Sequence, residues 1–193
     1  MSLLDPLRFR PRSLNKVWGG RRLDGFVPGG LGVEGPVGEV WTVADRDEMS
    51  SEVDGGELDG RRLTGLMMSE RQDLLGAARP SATDRFPVLV KYLDAVEPLS
   101  VQVHPDAACA AKLGGEPKDE CWYVLTAEPD AHVFLGLADG VDAATFAAEA
   151  TTGIKVLNFR QGGVSNEAGK DLGSSWCPPQ CSRRTVLGGF FTS

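Results

Sequence analysis

Residues 38–44, GEVWTVA, alternate apolar and polar side chains and predict a β-strand. Residues 64–75, TGLMMSERQDLL, place Leu66, Met67, Leu74 and Leu75 at roughly helical spacing. Thr64 is the expected N-cap of that helix and Gly76 its C-cap. Met67 and Met68 read as core filler. Four apolar runs then predict strands over 86–94, 98–104, 120–126 and 131–137, and residues 142–150 predict a short helix capped by Asp142. Short strands with Gly and Pro between them point to a sandwich or barrel of the jelly-roll kind. After residue 150 the alternation is lost, and little regular structure is expected there.

Composition supports a folded domain. A quarter of the 193 residues are Leu, Val, Phe or Ile, enough for a buried core, and 24 Gly with 12 Pro supply the turns. No apolar run is long enough for a transmembrane helix, and Asp5 and Pro6 stand where a signal peptide needs an apolar block. A cytoplasmic protein is the expectation, with its four cysteines as free thiols. Cys177 and Cys181 have metal-ligand spacing but no second pair to complete a site. Charge is uneven. Residues 1–22 hold six basic groups and one acidic, 23–150 hold nine and 24, and 151–193 hold five and two. The acidic body argues against nucleic acid or an anionic membrane as the main partner, while a small anionic substrate needs only a few local cations.

The segment most informative for chemistry is 98–105, PLSVQVHP. In an extended strand Leu99, Val101 and Val103 fall on one face and Ser100, Gln102 and His104 on the other. That polar row is either one face in water or a lining for the inside of a barrel. In EPKDECWYV, 116–124, Lys118, Glu120, Trp122 and Val124 share a face. A Glu at the start of an apolar strand is costly to bury unless paired or metal-bound. Gln102, His104 and Glu120 together would form a nitrogen and oxygen donor set suited to zinc. Lys118 is either a proton carrier or anion ligand beside that set, or a surface lysine. Lys91, among the apolar neighbours of FPVLVKYLD, is either an outward charge or a cation facing the same cavity. Trp18 precedes two glycines, where most tryptophans are packing residues.

These segments carry a resemblance. FRPRSLNKVWGGRRL, GPVGEVWTVAD, RFPVLVKYLDAVEPLSVQVHPD and EPKDECWYVLTAEPDAHVFLGLADGV, in that order, resemble the N-terminal part of short bacterial type I mannose-6-phosphate isomerases. Those are zinc enzymes of the cupin superfamily. The resemblance spans about residues 7–150 and implies a mainly β, incomplete cupin-type jelly-roll barrel with a few short helices. It implies interconversion of mannose 6-phosphate and fructose 6-phosphate by proton transfer between C1 and C2 through a cis-enediol. By this resemblance Gln102, His104 and Glu120 are zinc ligands and Lys118 is the catalytic candidate. Trp18, Lys91 and Ser100 are substrate-binding residues, Lys91 as a candidate phosphate contact.

The resemblance stops before the family's VPAG-x-x-HA segment, whose His is the remaining zinc ligand, and before its later YR motif. His132, in AHVFLG, is at no family ligand position and reads as a strand residue. The chain has SSWCPP where the family has an FVPAG-like stretch, a change that a frameshift between about residues 155 and 173 would produce. Residues 151–193 are therefore expected as a divergent, poorly ordered tail, with weakened zinc binding and activity. The alternative expectation is a non-catalytic cupin-like remnant that binds a sugar phosphate or a metal.

Overall fold

The computed structural model describes residues 6–97 continuously, and beyond them 99, 107–114, 117, 122–123, 125–128, 131–137, 140–142, 145 and 159–163. Strands β1 (Arg12–Gly20), β2 (Val37–Val43) and β3 (Val90–Leu93) form an antiparallel sheet in that order. Two short helices, α1 (Leu63–Ser69) and α2 (Arg71–Leu75), precede β3, and α3 (Ala107–Leu113) follows it. β4 (His132–Leu137) and β5 (Phe159–Gly163) make a second, two-stranded antiparallel sheet. The architecture is the expected one, mainly antiparallel sheet with a few short helices. Among the described residues the sheets do not close into a barrel.

β2 sits where alternation placed it, but its burial does not alternate: Val37 through Val40 are all buried. The pairing explains this. Leu14 lies opposite Glu39 and Asn15 opposite Val37, so Gly38 has no partner and forms a bulge. One extra residue turns Val37 to the same side as Val40. Those two join Leu23, Val27 and Leu31 in a buried cluster against which Tyr92 packs.

The helix expected over 64–75 is two helices, broken at Glu70, whose backbone leaves helical geometry at φ −125° and ψ 24°. The C-cap is Gly76 as expected, with its N–H on the Gln72 carbonyl. The N-cap expectation is corrected. Arg62 occupies that position without a side-chain bond. The Thr64 amide is instead capped from outside the helix by the Ser50 hydroxyl, at 2.9 Å. Met67 is buried, but Met68 is 84% exposed and fills no core. One residue along a helix is a turn of about 100°, enough to move a side chain off the packed face.

Several other expectations meet the structure in part. The strand expected over 86–94 is shorter, Val90–Leu93. The strand over 131–137 is present as β4, with His132 as its first residue. Asp142 accepts from the Thr145 amide at 2.8 Å as a cap would, and apart from those two residues the helix expected over 142–150 lies outside the described residues. Of the strand expected over 120–126, Trp122, Tyr123, Leu125 and Thr126 are described and belong to no named strand. The strand over 98–104 lies, except for Leu99, outside the described residues. β1, α3 and β5 were not expected. β5 falls in the segment expected to lack regular structure, because backbone pairing with β4 requires no side-chain alternation.

Candidate functional site

The middle strand carries the first feature that points to chemistry. Glu39 is an acid inside an apolar strand, and it is buried. Its side chain must therefore find partners. The β2–β3 register puts Trp41 opposite Lys91 and Glu39 opposite Leu93, so Glu39, Trp41 and Lys91 share one face of the sheet. Lys91 Nζ lies 3.0 Å from Glu39 Oε1, and the Trp41 indole N–H donates to Glu39 Oε2 at 2.7 Å. The ion pair is largely withdrawn from water, the two side chains being 14% and 11% exposed.

Trp18, near the end of β1, packs against the residue next to Glu39 in β2. A Cβ on Gly38 would lie 2.6 Å from Trp18 Cζ3, so the indole lies directly against the backbone at the β2 bulge. The Trp18 carbonyl accepts from Val96 N at 3.0 Å and from Glu97 N at 3.3 Å, and Gly19 pairs with Ala95. Gly20 passes so close to Asp94 that a Cβ there would sit 2.5 Å from its Oδ2. Asp94, fully buried, accepts from the Arg22 amide at 2.7 Å. Consecutive residues of β2 thus position both described candidates. Gly38 lies under the Trp18 ring, and Glu39 holds Lys91.

A groove of about 720 Å³ opens elsewhere, lined by Arg12, Arg46, Ser50, Arg62, Thr64 and Arg85 among others. It includes none of Trp18, Glu39 and Lys91. Arg85 on its wall is paired with Asp45 and Asp47, and Arg10 with Glu52 and Asp59. Of the five arginines that line the groove, Arg10 and Arg85 are held in ion pairs.

Of the residues singled out from sequence, the structure places Trp18 and Lys91. Ser100, Gln102, His104, Lys118 and Glu120 lie outside the described residues. Among the described residues, no group of three or more His, Cys, Asp and Glu side chains is arranged to hold a metal ion. Glu39 and Asp94 were missed from sequence. Glu39 had a signal, an acid in the core-facing part of GEVWTV. Asp94, after the apolar run of β3, reads as an ordinary turn residue until its burial is known. Among the described residues, no helix is long and apolar enough to cross a membrane.

Comparison with known proteins bears directly on this site. The family model for the type I phosphomannose isomerase catalytic domain matches residues 7–133, somewhat short of the 7–150 expected from motifs. The chain is 37% identical over 135 residues to the mannose-6-phosphate isomerase of Streptococcus mutans, covering 69% of this chain and 41% of that protein. It is 36% identical over 137 residues to mannose-6-phosphate isomerase ManA of Bacillus subtilis, covering 68% and 41%. The chain therefore spans about 41% of the length of these curated relatives. The crystal structure of the mannose 6-phosphate isomerase from Bacillus subtilis superposes with a TM-score of 0.62 at 26% identity, covering 83% of this chain and 50% of that one. The matched stretch contains Trp18, Glu39, Lys91 and Asp94 along with all of the sequence-derived donors, and the chain belongs to the type I phosphomannose isomerase family.

Proposed function

We propose that this chain is a mannose-6-phosphate isomerase by descent, acting on a sugar phosphate by moving a proton between C1 and C2 of the open-chain form through a cis-enediol. The observation that supports this most is the family match over 7–133, joined to a largely withdrawn Lys91–Glu39 pair and a closely packed Trp18 within it. An ammonium has three donors. Glu39 takes one of those on Lys91, which leaves others for a substrate oxygen such as that of the phosphate. Glu39 meanwhile keeps the ammonium in place and tempers its charge. Trp18 offers a flat apolar wall, and Ser100 a hydroxyl. Lys118 is the group proposed to carry the proton.

Zinc belongs to the same reading. Gln102, His104 and Glu120 supply an amide oxygen, an imidazole nitrogen and a carboxylate, a donor set whose chemistry suits that ion. A zinc ion held there would stabilise negative charge on substrate oxygens. The amide is the weakest of the three donors, so affinity below that of a four-ligand site is expected.

The test is a coupled assay of mannose 6-phosphate turnover by the purified chain, with added zinc and with a chelator. Zinc-dependent turnover lost in His104→Ala supports the isomerase. Binding of mannose 6-phosphate without turnover favours the second reading, a non-catalytic cupin-like remnant. No binding of sugar phosphate or zinc by folded chain would sink both.

A further inference from the structure

Between the candidate site and the rest of the fold runs one backbone crossing that the functional reading does not use. The arm Trp18–Arg22 leaves β1 and crosses the residues just beyond β3. Four hydrogen bonds tie the arm, residues 94–97 and the β2 bulge together. Asp94 N donates to the Gly38 carbonyl at 3.0 Å, tying Asp94 to the bulge under the Trp18 ring. Asp94 Oδ2 receives the Arg22 amide at 2.7 Å, fixing the far end of the arm. Val96 N and Glu97 N both reach back to the Trp18 carbonyl. No side chain fits at Gly20, because Asp94 Oδ2 and Val96 Cγ1 fill the space where its Cβ would stand, at 2.5 and 2.8 Å. Asp94 has no exposed surface, so its carboxylate is committed to the protein rather than to solvent.

This knot matters because of its place in the chain. Immediately after Glu97, residue 98 opens the segment carrying Ser100, Gln102 and His104. Resting on the proposed isomerase reading, we infer that Asp94 is a positioning residue: its buried carboxylate locks the Trp18 arm to the start of the segment that carries the proposed metal and substrate ligands. It touches no substrate. It holds the Trp18 arm against residues 94–97, which lead into the ligand segment, and through the Gly38 carbonyl it is hydrogen-bonded to β2, the strand that carries Glu39. A small misplacement of such groups is felt strongly in substrate affinity and turnover.

The experiment uses the full chain labelled with 5-fluorotryptophan, its Trp18 resonance identified by loss in Trp18→Phe. Asp94→Asn keeps an acceptor for the Arg22 amide and is expected to leave that resonance in place. Asp94→Ala is expected to shift and broaden it in a folded chain, and to raise the Kd for mannose 6-phosphate about tenfold. A lower melting temperature in Asp94→Ala with an unmoved Trp18 resonance would overturn the proposal. If the parent chain binds no mannose 6-phosphate, the isomerase reading fails, while the Trp18 resonance still reads the positioning role. If Asp94→Ala does not fold, amide exchange in the unmodified chain decides. Arg22 and Val96 amides opening together support the lock, and free exchange at Arg22 beside a protected Val96 overturns it.

Discussion

Two buried carboxylates leave β2 within six residues of each other, and of the two Asp45 is the one that holds a backbone amide. Asp45, just past the strand, has no exposed surface and draws its partners from two other parts of the chain. The Phe86 amide donates to Oδ2 at 3.0 Å, and the Thr64 hydroxyl to Oδ1 at 2.5 Å. Arg85 Nη1 stands 3.4 Å from the same Oδ1. Glu39 is bonded by side chains, the Trp41 indole and the Lys91 ammonium. A backbone amide cannot leave its acceptor unless the chain moves, so Asp45 is a clasp joining the end of β2, the start of α1 and the 81–86 turn. Side-chain tips can exchange a partner for a ligand without disturbing the fold. Acids of similar burial therefore do different work, and the kind of donor tells them apart.

The sharpest way to break that comparison is Asp45→Ala. It strands the Phe86 amide and the Thr64 hydroxyl while Arg85 keeps Asp47, and should cost about 3 kcal/mol in urea unfolding. A loss under about 1 kcal/mol, the size of an exposed pair, would show that the clasp is no clasp. Next comes Gly38→Ala. Its Cβ would lie 2.6 Å from both Lys16 Cβ and the Trp18 ring, so overpacking of about 1–3 kcal/mol is expected, with Trp18 fluorescence displaced. Glu39→Gln should be milder in stability, about 1 kcal/mol, since an amide still accepts from the indole. Its effect should fall on function, with mannose 6-phosphate binding weakened about tenfold, the equivalent of 1.4 kcal/mol, when measured by calorimetry. Equal stability loss in Glu39→Gln and Asp45→Asn, with binding untouched, would erase the distinction between the two acids.

The smallest effect belongs to a third carboxylate, on the surface. Asp59 is held below the ordinary carboxylate range, first by the Gly55 amide and then by Arg10. A depressed folded-state value means that Asp59 contributes stability above its unfolded pKa. That contribution is lost as pH falls through the lower, folded value. Asp59→Asn should therefore trail the parent slightly at neutral pH and converge with it in acid. Melting curves from neutral pH to about pH 2 check this, and added salt should shrink the gap.

Much of the described fold is legible in the sequence alone. Alternation located β2, an apolar run located β4, the capping role of Asp142 was readable, and Gly76 located the end of α2, because each of these depends on neighbours within a few residues. The family resemblance was equally readable, being a matter of ordered motifs. Reading failed where a distant partner decides. Thr64 is a sound N-cap in isolation, but its hydroxyl goes to Asp45 and its amide to Ser50. β5 exists through β4, and the break at Glu70 has no breaker residue to announce it. Sequence alone leaves Lys91 open between an outward charge and an inward cation, and its answer lies in Glu39, 52 residues earlier.

Local chemistry along the chain was enough to name a mainly β protein, its family and a short set of polar residues worth pursuing. Pairing across the chain was needed to show that Gly38 is a bulge that turns Val37 inward, that Glu39 holds Lys91, and that Asp94 receives an amide 72 residues away. The physical reason is range. Side-chain alternation and caps act over a few residues, whereas strand register sets which distant side chains meet, and a single unpaired residue changes the face of everything beyond it.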